Sequence, residues 1–128
     1  MSAQTAHFPD QVPIDAYGNH GFRFGGMSHQ GSMLALPSGM YGWASREIAE
    51  LSLDDFLQVF DEQDRIGFVI LGTGKTQVWP QPTLRQLFDE RRIGLEVMDT
   101  GAAVRTYNVL LAEKRPVAAA LVSVDDPR

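Results

Sequence analysis

Three short strand-like runs alternate with two stretches of helical pattern in the second half of this chain, and that alternation restricts the possible folds more than any other feature. The first run, Ile66-Gly67-Phe68-Val69-Ile70-Leu71, is continuously apolar, as a strand covered on both faces must be, and it is expected to form the middle of a sheet. Next, Pro82 suits a first helical turn and Leu84, Leu87 and Phe88 form an apolar stripe, with Gly94 after Ile93 as the expected stop of a helix of about ten residues. Leu95-Glu96-Val97-Met98 reads as a second strand. Thr100 is the expected N-cap of a helix over residues 102–113, with Ala103, Tyr107 and Leu110 on one side and Lys114-Arg115-Pro116 ending it. Val117-Ala118-Ala119-Ala120-Leu121-Val122 closes the series as a strand of small apolar residues. Such alternation predicts crossover units and a largely parallel sheet with helices on its faces.

The front third differs. Short apolar stretches over residues 12–36 are broken by Gly18, Gly21, Gly25, Gly26 and Gly31, the pattern of extended segments joined by tight turns. Leu36-Pro37-Ser38-Gly39 is a further turn signal, and residues 40–49 are open between a loop and a short element. Ser52 with Asp55 three residues on suits a helix start, and Leu53, Phe56, Leu57 and Phe60 at helical spacing predict a helix from Leu53 to Gln63. With 128 residues, one hydrophobic core is the default. The expectation is therefore a single layered α/β domain over residues 12–124: a mixed, mostly parallel sheet with helices packed on it and an N-terminal antiparallel β-meander. Residues 1–11 are expected to form a flexible segment and residues 125–128 a tail.

Several function classes are disfavoured by composition. A net charge of -5 is the wrong sign for phosphate-backbone binding, so no nucleic-acid partner is expected. The chain has no cysteine, which removes disulfides, thiolate metal sites and cysteine nucleophiles together. No targeting signal is read at the front, and the longest apolar runs fall short of the roughly 20 residues of a membrane span. A cytoplasmic protein without direct membrane insertion is the expectation.

The motifs that would carry catalysis are incomplete. Gly72-Thr73-Gly74-Lys75-Thr76 ends like a phosphate-binding loop, yet Val69 stands where that motif needs glycine and the following Gln77-Val78-Trp79-Pro80 reads as extended, not helical. Gln77 likewise stands at the third glycine of a dinucleotide fingerprint. Ser28-His29 lacks the glycine of a nucleophile elbow, because Gln30 occupies its place. His7, His20 and His29 show no spacing that would pair them, so no metal site is assigned. Asp54, Asp55, Asp61, Glu62 and Asp64 read as a solvated helix face. No catalytic residue and no cofactor are expected.

One stretch concentrates polar types where α/β folds place ligands, at a strand end leading into a helix. It contributes Asp99, Thr100, Gly101, Arg105, Thr106, Tyr107 and Asn108 as candidate binding residues, and the Gly72, Thr73 and Gly74 turn is expected to converge on it. Arg105 would offer a bidentate contact to a carboxylate or phosphate. The competing structural reading has Asp99 and Thr100 capping the helix while Arg105 and Asn108 tie it to neighbouring turns.

At this stretch the chain also resembles a known family. Gly94-Leu95-Glu96-Val97-Met98-Asp99-Thr100-Gly101-Ala102-Ala103 followed by Arg105-Thr106-Tyr107-Asn108-Val109-Leu110 is similar to the signature of the mitochondrial complex I assembly factor three family and its small bacterial relatives. The likeness extends to Gly21-Phe22-Arg23-Phe24, to Gly31-Ser32 leading into Leu34 to Pro37, to Ile70-Leu71-Gly72-Thr73-Gly74 and to Arg115-Pro116-Val117-Ala118-Ala119-Ala120-Leu121, and so covers about residues 12–124. The resemblance implies a layered α/β fold and a non-enzymatic binding module whose partners are respiratory complex subunits or assembly proteins. Val104 stands where many relatives are expected to carry cysteine, which argues against a thiol-dependent role. Trp43 and Trp79, in loop-like settings, are open between exposed anchors for such a partner and buried core tryptophans. The alternative reading is a small-molecule or anion-binding protein, or an enzyme, that uses the junction at residues 99–108.

Overall fold

The computed structural model describes residues 7–44 and 47–125. Its first three strands, β1 (Ala16–Gly18), β2 (Gly21–Phe24) and β3 (Met27–Gln30), form a small antiparallel sheet in sequence order. Their connecting turns, Asn19-His20 and Gly25-Gly26, have positive φ at all four residues, which matches hairpin turns to strand twist. The next hairpin, β4 (Met33–Leu36) and β5 (Gly39–Gly42), leaves that sheet and joins a second one with β6 (Phe68–Gly72), β7 (Gly94–Met98) and β8 (Val117–Leu121). The strand order is β5-β4-β8-β6-β7.

β4 pairs antiparallel with β5 and β8, while β6 pairs parallel with β8 and β7. The mixed sheet and the antiparallel meander are thus present. Parallel pairing is confined to the three later strands, so the sheet is evenly mixed where a mostly parallel one was expected. The reason is that β4 of the front hairpin pairs antiparallel with β8 and carries β5 on its other side. For the same reason β8, not β6, takes the middle position, with Ala118, Ala119 and Ala120 fully buried.

Alternate residues of these strands feed two cores. One contains Val69, Leu71, Ala118 and Ala120 against Leu84 and Phe88 of helix α2 (Pro82–Glu90), and also takes in Trp43, Phe56 and Val59. The other contains Ile70, Ala119 and Leu121 against Ala103, Val104 and Tyr107 of helix α3 (Thr100–Ala112), with Phe22 and Phe24 of the small sheet. A strand buried on both faces has no polar side to show, which explains the unbroken apolar runs.

The helix expected from Leu53 to Gln63 is not continuous. Residues Leu53–Phe56 form a 3-10 turn, Leu57–Phe60 a single α-turn (α1) and Gln63–Arg65 another 3-10 turn. The indole Nε1 of Trp43 donates to the carbonyl of Asp55 at 2.9 Å, taking the acceptor that a regular α-helix would offer to Val59. The acidic start does form, with the Ser52 amide donating to Asp55 Oδ2 at 2.9 Å. Trp43 is buried in the core, so of its two readings the buried one holds.

Pro82 opens α2 as expected, but the helix ends at Glu90 with Arg91 as its C-cap, ahead of Gly94, which begins β7. Arg92 has a φ of 59°, and its amide and that of Ile93 bond back to the carbonyls of Asp89 and Phe88. Lys114, with a φ of 62°, closes α3 in the same way. Both are Schellman-type stops with a long cation where glycine is usual.

Candidate functional site

Because β6 and β7 are parallel and in register from Phe68↔Gly94 to Gly72↔Met98, their carboxyl ends lie side by side and their following loops start together. The close approach needs Gly72, since a Cβ there would lie 2.9 Å from Leu121 Cδ2 and 3.1 Å from Ala103 Cβ. Gly74, with a φ of 106°, turns the chain back. No helix begins at Lys75, so the turn does not lead into the helix N-terminus that a phosphate loop uses.

Thr100 locks the two loops together. Its amide donates to the Gly74 carbonyl at 2.8 Å, and its hydroxyl accepts from the Gly74 amide at 2.9 Å while donating to the Val122 carbonyl at 2.7 Å. The hydroxyl is therefore fully used inside the protein, and Thr100 is the buried first residue of α3 rather than its cap. Asp99 is the cap: its Oδ1 accepts from the Ala102 amide at 2.9 Å. Thr73 is buried, donating to the Thr76 carbonyl at 2.6 Å and accepting from the Val78 amide at 3.1 Å. Gly101 is buried against the Tyr17 hydroxyl, which would clash with any side chain there.

Gly72, Thr73, Gly74, Asp99, Thr100 and Gly101 thus come together, with Thr100 bonded to Gly74 and the other polar groups bonded to neighbouring backbone. The remaining candidates lie further along α3. Asn108 binds the backbone of Ile14 in both directions, donating through Nδ2 and accepting through Oδ1, each at 2.8 Å. Tyr107 donates to the Val12 carbonyl at 2.8 Å, and burial pushes its phenol well above the usual range despite an opposing contribution from Gln11. Thr106 is half-buried, whereas Arg105 is exposed. An anion approaching this helix end would meet the Asp99 carboxylate already in place. A shallow depression beside the loop is lined by Lys75, Ser123, Val124 and Asp125.

The outer surface holds what residue patterns alone did not distinguish. Trp79 is 65% exposed, Val78 40% exposed, and Trp79 lines a second depression with Pro80, Pro82, Arg85 and Asp89. Ser38, read only as a turn residue, lies between Tyr41 and Glu62, each 2.5 Å from its hydroxyl. His7 and His29, without any spacing relation, meet as tilted rings with centroids 4.5 Å apart. Among the described residues no group of three or more His, Cys, Asp or Glu is placed to hold a metal ion. Among them, too, no helix is long and apolar enough to cross a membrane.

This architecture defines a class of small layered α/β domains. The backbone matches a Bordetella pertussis domain described as Mth938-like with a TM-score of 0.76 over 98% of this chain and 95% of that one, and at 23% identity the match speaks for the fold alone. The chain belongs to the family described as protein of unknown function (DUF498/DUF598), which matches residues 14–122. A Bartonella henselae structure described as an outer membrane protein is 49% identical, with a TM-score of 0.89 over 93% of this chain and 100% of that one. Among curated relatives, the mouse NADH dehydrogenase [ubiquinone] 1 alpha subcomplex assembly factor 3 is 31% identical over 95% of this chain and 66% of its own length. The chain thus spans just under two thirds of that relative. An uncharacterised Rhodobacter capsulatus protein is 29% identical over 95% of this chain and 93% of its own length.

Proposed function

We propose that this protein is a non-enzymatic binding module that assists assembly of a respiratory complex, its partners being complex subunits or other assembly proteins. The observation that carries this reading is the 31% identity to the mouse assembly factor over 95% of this chain. Two features support it. The polar groups of the Gly72–Gly74 and Asp99–Gly101 junction are largely consumed by internal bonds, so the junction acts as a brace. Trp79 stands out from that brace as a large, exposed aromatic anchor. The reading places the protein in the cytoplasm, where an assembly protein meets the soluble faces of its partners.

The test is affinity capture of the tagged protein from lysate of its own organism, beside a Trp79→Ala variant. Recovery of complex I subunits or assembly proteins with the parent chain, reduced at least about tenfold by the substitution, is expected. Normal complex I content after deletion of the gene would overturn it. A second reading, binding of a small molecule or anion beside the junction, is favoured by one observation, the depression at Lys75, Ser123 and Asp125 next to Gly74. Loss of a ligand's binding in Arg105→Ala with stability unchanged would support that reading.

A further inference from the structure

We propose that His7 and Phe8 form an acid-labile latch over the outer edge of β5. β5 lies at one end of the five-stranded sheet, where a strand presents unpaired amides and carbonyls to any passing chain. Phe8 covers part of that edge as an isolated antiparallel bridge to Met40. The Met40 amide donates to the Phe8 carbonyl at 3.0 Å, and the His7 amide donates to the Met40 carbonyl at 2.7 Å. The Phe8 ring lies over Gly25, where a Cβ would be 2.6 Å from its Cε1.

The two imidazoles join the latch to the body of the protein. His7 travels with the segment, whereas His29 belongs to β3 and is fixed by its Nε2 proton, which it donates to the Ser32 carbonyl at 2.9 Å. Their ring planes are tilted 51° at 4.5 Å between centroids. Neutral rings tolerate this contact, but two imidazolium ions repel at such a distance. Burial first, and then His29, hold the His7 pKa below its usual value. Among the described residues, the titrating group shown against His7 is His29 on β3, while β5 meets it through the Met40 backbone and the β2–β3 turn meets Phe8 at Gly25. Asp10, the next carboxylate along the segment, is exposed.

The sign follows from linkage. A released His7 takes up a proton more readily than a latched one, so the contact is intact above the ordinary histidine pKa of about 6.5 and weakens as pH falls below it. Release uncovers the β5 edge without disturbing β8 or β6. The experiment is amide hydrogen exchange on the nitrogen-15-labelled full chain at pH 7.5 and 5.5, corrected for intrinsic rates, with Met40 as reporter and Ile70 as reference. Protection of Met40 is expected to fall by about fivefold or more in acid while Ile70 stays constant, and His7→Phe is expected to abolish the difference. Equal Met40 protection at both pH values, an equal loss at Ile70, or a loss that persists in His7→Phe overturns the latch.

Discussion

The amide and the hydroxyl of Ser38 both donate to the carboxylate of Glu62, 24 residues further along, at 3.0 and 2.5 Å. The Tyr41 hydroxyl completes the chain from the other side of Ser38. This small network clamps the β4–β5 hairpin to the segment that follows α1. Glu62→Ala leaves the Ser38 amide without its acceptor and its hydroxyl with Tyr41 alone, and is expected to cost about 1–3 kcal/mol, with Glu62→Gln costing less because one acceptor oxygen remains. Urea unfolding of the two variants measures the difference.

Thr100 carries the junction between the β6 and β7 loops. Thr100→Val keeps the volume but removes the hydroxyl, leaving the Gly74 amide and Val122 carbonyl short of a partner in a buried setting. The expected loss is about 2–4 kcal/mol, with Thr100→Ser retaining most of the stability. Thermal unfolding gives the totals, and faster exchange of the Gly74 amide locates the damage.

The two helix stops run in the opposite direction. Arg92 and Lys114 hold left-handed φ values that cost a residue with a Cβ and cost glycine nothing. Arg92→Gly and Lys114→Gly are each expected to stabilise the protein by about 0.5–1 kcal/mol, and the two gains should add because the helices sit on opposite faces of the sheet.

Tyr107 sets a limit in alkali. Its folded pKa lies above the value near 10 that an unfolded tyrosine has, so its contribution is complete below that pH and is lost as pH rises beyond it, where the unfolded phenol ionises and the buried one does not. Stability measured between pH 9 and 11 should fall less steeply in Tyr107→Phe, which begins lower for want of the bond to Val12.

The strands and helices after Ile66 were legible because each is a local pattern: apolar runs for β6 and β8, and a Pro82 start with an apolar stripe for α2. Strand order was not, because no residue of β8 records that β4 will pair with its free side. The segment after Ser52 has the apolar spacing of a helix, and what divides it is an indole from residue 43, beyond any local window. Asp99 and Thr100 are both good caps, so spacing could not choose between a surface carboxylate and a hydroxyl buried between two loops. Trp43 and Trp79 sit in similar loop-like contexts, and their opposite exposures follow from one distant carbonyl. The Ser38–Glu62 and His7–His29 contacts are long-range as well, which is why neither cluster showed in the spacing of its residues.

β8 stands between β4 and β6, although 80 residues of sequence separate β4's Leu36 from β8's Pro116-flanked start and β6 is made well before it. During synthesis the early hairpin and the β6–β7 pair therefore have no shared edge, and their apolar faces wait for a strand that emerges late. Both cores take residues from β8, so neither is complete until residues 117–121 have joined the two earlier strand pairs, and the sheet's central contacts are among the longest in sequence.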